Sequence, residues 1–158
     1  MRRVPPFGGG AVAVSAAEGR IGAAAAWIRS AWAPLPVARH YRLIAADVLF
    51  GRAGLDRRDA PGGGILAEPL SSALGPADRQ IMVRALAGGV AAVVAFPNAL
   101  APAASRERLL ALIEVAVRAG VPVAVEAMAA SHLLRRLAEE AAHGAPPPGT
   151  GLPPGAER

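Results

Sequence analysis

The sequence predicts an α/β fold, a three-layer α/β/α sandwich around a five-stranded, mainly parallel sheet. Three observations lead there. Short apolar runs alternate with stretches of helical length and helical apolar spacing along most of the 158 residues, the pattern of layered βα units. The segment from Val90 to Val125 reads as a complete strand–helix–strand unit, whose strands must be parallel and joined by a right-handed crossover. No fixed repeat period relates one unit to the next, which excludes a solenoid. A single domain over residues 10–143 is expected, with a flexible arm at 1–9 and a disordered Pro/Gly tail at 144–158.

In chain order, Ala11-Val12-Ala13-Val14 is the first strand. Ser15 to Arg20 leads into an alanine-rich helix through about Ala31, with Ile21, Ala24, Ala25 and Ile28 as its core face and Pro34 and Pro36 as its stop. Arg42 to Phe50 reads as the second strand, with Asp47 an interruption that the apolar pattern does not explain. Gly51-Arg52-Ala53-Gly54 then lies at its carboxyl end. A short helix over Leu55 to Asp59, a turn at Gly62 to Gly64, a third strand at Ile65-Leu66-Ala67 and a loop over Pro69 to Ala77 follow. Asp78 opens a helix through Ala87, since Pro76 favours a helix start and Gly88-Gly89 a stop. Val90 to Phe96 is the fourth strand, broken by Pro97 and Asn98. Ser105 is suited to cap the next helix, which carries Leu109, Leu112, Ile113 and Ala116 on one face and ends at Gly120. Val121 to Val125 is the fifth strand, where Pro122 is tolerable near the start, and Ala129 to Ala142 is the last helix.

Composition excludes several classes of function. Cysteine is absent, so disulfides, thiol catalysis and cysteine-ligated metals are out. His40, His132 and His143 are too scattered to suggest a metal site. The net charge is +5, with every basic residue an arginine. The arginines are dispersed and aromatic residues for base stacking are few, so no nucleic-acid partner is expected. No apolar run is long enough to span a membrane. Met1-Arg2-Arg3 faintly mimics a secretory leader, but Pro5, Pro6 and Gly8 to Gly10 interrupt it, so a cytoplasmic setting is expected.

Ligands of open parallel sheets bind beyond the carboxyl ends of the strands, which directs attention to Phe96 to Ser105 and to the residues just after Val125. Gly51-Arg52-Ala53-Gly54 could present backbone N–H groups and a guanidinium to an anion; in isolation the plainer reading of the four residues is a structural turn with a solvated arginine. Arg20 after the first strand, and Ser71-Ser72 after the third, could converge on the same anion or be surface groups. Asp78 sits where a helix N-terminus favours its ionised form, and beside a phosphate-bearing substrate it could remove a proton next to a carbonyl; its plainer reading is an ordinary first-turn aspartate. No Ser-His-Asp arrangement is supported, because Ser131 and His132 are helical neighbours that point apart. Gly8 to Gly10 precedes a strand and so does not meet the dinucleotide fingerprint.

Set in order, these stretches resemble the methylglyoxal synthase family over roughly Ala11 to Leu134. Leu70-Ser71-Ser72-Ala73-Leu74-Gly75-Pro76-Ala77-Asp78 is similar to the family's Leu-Ser-Gly-Pro-x-Gly-Gly-Asp, one residue longer. Gly51-Arg52-Ala53-Gly54 stands where the family has Gly-Thr-Thr-Gly. Phe96-Pro97-Asn98-Ala99-Leu100 resembles Asp-Pro-Leu-Asn, and Val121-Pro122-Val123-Ala124-Val125-Glu126 resembles Ile-Pro-Val-Ala-Thr-Asn. The resemblance implies a homohexamer that eliminates phosphate from dihydroxyacetone phosphate, giving methylglyoxal without metal or organic cofactor. It implies Asp78 as the base, and Arg20, Gly51, Arg52, Gly54, Ser71 and Ser72 around the phosphate, with Asn98 and Ser105 at the rim. The chain departs from the family at Ala16-Ala17, in place of His-Asp, and at Ser105 and Arg108, near the positions of a later His and Asp. Three readings follow: a working or weak methylglyoxal synthase, a non-catalytic domain of the same fold that binds a phosphorylated metabolite or anion for regulation or assembly, and a structural or interaction module without a ligand.

Overall fold

The computed structural model describes residues 10–32, 41–54 and 67–143. Its elements are β1 (Ala11–Ala16), α1 (Ile21–Trp27) running into a π-helical turn (Ile28–Trp32), β2 (Arg42–Ala46) and α2 (Asp47–Ala53). Then come β3 (Ala67–Leu70), a 3-10 turn (Ser72–Leu74), α3 (Ala77–Leu86), β4 (Val90–Phe96), α4 (Ala103–Arg118), β5 (Val123–Val125) and α5 (Glu126–Ala142). The strands form one sheet in the order β3-β2-β1-β4-β5, with every neighbouring pair parallel. The α/β fold read from the sequence is the one observed.

The two faces of the sheet are covered because side chains alternate along each strand. Val12, Val14, Leu43, Val94 and Phe96 pack against α1, α2 and α5. Ala13, Ile44, Val93 and Ala95 meet Ile81 of α3 and Leu109, Leu112 and Ala116 of α4. β4 is buried along its whole length, which is why it reads as a continuous apolar run. Ala11 lies opposite Val90 and Val12 opposite Ala92, so Ala91 is an extra residue in β4 at that point. Trp27 and Phe96 pack with ring centroids 6.0 Å apart, and the Trp27 indole N–H donates to Ser131 Oγ at 3.3 Å, tying α1 to α5.

Several boundaries differ from the sequence reading. The second strand ends at Ala46, not Phe50, and Asp47 opens α2. Asp47 is therefore not an interruption of a strand. It is an acidic residue at the positive end of a helix, where its charge is favourable. Leu49, Phe50 and Ala53 are buried at helical spacing along this element. The third strand is Ala67–Leu70, so Pro69 is in a strand, not a loop; β3 is an edge strand, where a missing N–H is tolerated. α4 begins at Ala103 behind Pro102, so Ser105 is inside the helix rather than its cap. α5 begins at Glu126 directly from β5. The expected arm at 1–9, Pro34 and Pro36, His40, the Leu55 to Asp59 helix, the Gly62 to Gly64 turn, Ile65, Leu66 and the tail at 144–158 lie outside the described residues. Among the described residues, no helix is long and apolar enough to cross a membrane.

Candidate anion site at the carboxyl edge of the sheet

The sheet order reverses direction between β1 and β4, so the carboxyl ends of these strands flank the crevice where a doubly wound sheet takes its ligand. A cavity of about 360 Å³ opens beside β1. Ser15 and Ala16 of β1, Val48 and Leu49 of α2, Asp78 of α3 and Arg108 of α4 form much of its wall. A second concavity of about 500 Å³ shares Ala46, Val48, Pro76 and Ala77 with it and adds Asp47 and Ser72.

Asp78 is the chemical centre of the cavity. Pro76 precedes α3 and places Asp78 in its first turn, facing β1. The Ser15 hydroxyl, itself buried, donates a hydrogen bond to Asp78 Oδ1. Burial pushes the Asp78 carboxyl above the ordinary carboxylate range, while the Ser15 hydrogen bond and the Arg108 guanidinium pull it back. A carboxylate held in this way is more basic than one in water and has a cation within electrostatic reach. Those are the properties of a group that accepts a proton from a bound anionic ligand.

The β1–α1 turn is held by a different set of bonds. Asn98 Nδ2 donates to the Glu18 carbonyl at 2.8 Å, and the Glu18 N–H donates to Ser105 Oγ at 3.1 Å. Asn98 Oδ1 also accepts the Leu100 N–H at 3.0 Å. Gly19 allows this closeness: its φ is +85°, and a Cβ there would lie 2.8 Å from Asn98 Nδ2. Arg20 then reaches across to Glu126, the first residue of α5, and forms an ion pair at 2.6 Å. Asn98 and Ser105 are thus structural ties of the crevice, and Arg20 has a partner within the chain.

The expected phosphate loop is also built differently. Gly51 and Arg52 lie in the last turn of α2, and Gly54 is its left-handed cap at φ 69°, its N–H donating to Gly51 O at 3.3 Å. The four residues 51–54 are the end of a helix rather than a loop issuing from β2, and Arg52 is exposed. Ser71 uses its hydroxyl to accept the Ala73 N–H at 3.2 Å, capping the 3-10 turn. Gln80 Nε2 donates to Ser71 O and Gly75 O, both at 2.9 Å, and fixes the approach to α3. Ser72 belongs to the adjoining concavity and not to the wall around Asp78. Among the described residues no group of three His, Asp or Glu side chains is placed to hold a metal.

Two side chains of the cavity, Ser15 and Arg108, were absent from the sequence-derived site. Ser15 had a legible signal, as the polar residue of an otherwise apolar strand end. Arg108 had a weaker one: it stands three residues after Ser105, and so on the same side of α4.

Solved structures supply the comparison. The chain is similar to the methylglyoxal synthase of Elizabethkingia anophelis NUHP1, with a TM-score of 0.60, 17% sequence identity, and coverage of 80% of this chain and 78% of that one. At this identity the likeness establishes a methylglyoxal synthase-like fold. No family model matches the chain, and no curated protein matches it.

Proposed function

We propose that this chain binds a small phosphorylated metabolite in the cavity beside β1, with Arg108 supplying the counter-charge and Asp78 the acid–base group, and that phosphate elimination from dihydroxyacetone phosphate is weakened or lost. The observation that carries this reading is the grouping of Asp78, Ser15 and Arg108 in one cavity at the carboxyl edge of the sheet. Elimination would need Asp78 to take the proton beside the carbonyl, and then donors aimed at the enediolate oxygens as charge develops there. Ala16 and Ser105 are where the family's histidines would supply them. Alanine has no donor, and the Ser105 hydroxyl is engaged with Glu18. Loss of one such donor typically lowers turnover on the order of a hundredfold or more. No metal or organic cofactor is required for this chemistry. The family resemblance read from the sequence further suggests a cytoplasmic homo-oligomer, a hexamer, and sedimentation would test the assembly.

A non-catalytic anion-binding domain for regulation or assembly is the second reading, favoured by the Arg20–Glu126 pair, which occupies a basic group the reaction would use. Both readings predict that dihydroxyacetone phosphate raises the melting temperature of the wild type and that Arg108→Gln abolishes the rise. A ligand at 100 times its Kd adds about 2.7 kcal/mol. Methylglyoxal and inorganic phosphate appearing together, and vanishing in Asp78→Asn, would select the enzyme. Binding without product would select the regulatory domain. No shift with dihydroxyacetone phosphate or inorganic phosphate would overturn both.

A further inference from the structure

We propose that Glu126 is a built-in competitor for Arg20, an internal carboxylate that an incoming anion must displace before Arg20 can hold it. The inference goes beyond the cavity around Asp78, because neither Arg20 nor Glu126 lines it. β4 is between β1 and β5 in the sheet, so an ion pair from the turn after β1 to the start of α5, directly after β5, crosses the carboxyl end of β4.

The backbone marks Glu126 as unusual. β5 passes into α5 without a loop, and Glu126 adopts φ 72°, the one positive φ outside glycine among the described residues. A left-handed conformation favours glycine or asparagine and is strained for a long side chain. Attraction to the positive end of α5 is open to any acidic residue in its first turn and does not require this position. What the conformation does provide is a carboxylate within 2.6 Å of Arg20, 106 residues earlier in the chain.

The pair is also placed to be exchanged. The Arg20 and Glu126 side chains are 32% and 44% exposed, so solvent and a dissolved anion reach both, and an ion pair this accessible is held weakly. The turn carrying Arg20 is anchored independently by Asn98 and Ser105 through the Glu18 backbone, so releasing Glu126 leaves the turn itself in place. The ligand class is a compact oxyanion, phosphate or carboxylate, which a guanidinium binds through paired N–H groups.

The test rests on the proposed function only in sharing its probe, inorganic phosphate, titrated by calorimetry into wild type, Glu126→Gln, Glu126→Asn, Arg108→Gln and the double variant Arg20→Gln/Glu126→Gln. Asparagine tolerates the positive φ, so Glu126→Asn keeps the test sound if the glutamine variant folds poorly. Removal of the carboxylate is expected to tighten phosphate binding by up to about fivefold, the worth of an exposed ion pair, and the gain should vanish in the double variant. Unchanged affinity in both Glu126 variants, alongside wild-type binding that depends on Arg108, would overturn the competitor and leave the cavity reading intact. Phosphate bound by the Glu126 variants through Arg20, with none bound by wild type, would uphold the competitor and overturn the cavity reading. No binding by any of the proteins would overturn both.

Discussion

Replacing Ser15 by alanine removes one oxygen from a buried strand end and leaves the Asp78 carboxylate without its hydroxyl donor. A hydrogen bond to a charged group contributes roughly 1.5–3 kcal/mol, and a neutral one about 1 kcal/mol. The Ser15→Ala protein should therefore lose about 1.5–3 kcal/mol near neutral pH, or roughly 3–12 °C in melting temperature for a chain of this size. The loss should depend on pH. The folded-state pKa of Asp78 is raised above its ordinary value by burial, so just above that ordinary value the native state binds more protons than the unfolded chain. Stability from this group is greatest at low pH and falls as pH rises through the folded-state pKa. The Ser15 hydrogen bond opposes that rise, so its removal lifts the Asp78 pKa further and widens the window. The difference between wild type and variant should be full above both folded-state values and shrink toward the neutral hydrogen-bond figure as Asp78 is protonated. Urea denaturation followed by tryptophan fluorescence measures this directly, with Asp78→Asn completing a double-mutant cycle. A variant as stable as wild type near neutral pH, or a loss that is the same with Asp78 charged or neutral, would refute the account of Ser15 as the donor that restrains Asp78.

Other substitutions probe other parts of the structure. Arg52→Ala should change phosphate affinity by less than about twofold, because Arg52 is exposed at the end of α2; calorimetry beside Arg108→Gln checks this. Gly19→Ala should destabilise by about 1–3 kcal/mol, since its φ is +85° and the new methyl would press on Asn98; chemical denaturation reads the loss. Leu112→Ala, at a fully buried position between α4 and the sheet, should cost about 2–5 kcal/mol by the same assay.

The alternation of strands and helices was legible because burial on both faces of a parallel sheet leaves continuous apolar runs. The Val90 to Val125 unit shows this most clearly: β4, α4 and β5 fall inside its expected bounds, and Gly120 ends the helix region with φ 74°. The errors arose where local pattern is ambiguous. Leu43 to Phe50 is apolar enough for either a strand or a strand followed by a helix, and only the docking of Leu49, Phe50 and Ala53 against α1 and the sheet selects the helix. Pro69 looks like a loop residue until the sheet order makes β3 an edge.

By itself, then, the sequence determined what short-range chemistry can specify: the βα alternation, the apolar faces, the absence of thiol chemistry, and Asp78 in the first turn of its helix. Tertiary structure decided which charged and polar groups meet. Ser15 and Asp78 are 63 positions apart, and Arg20 and Glu126 are 106 apart. Such pairs leave no periodic trace, because they are set by the order of strands in the sheet rather than by spacing along the chain. The same residue types that could gather around an anion are therefore divided here, Arg108 toward Asp78 and Arg20 toward Glu126, by the positions of β1, β4 and β5 side by side.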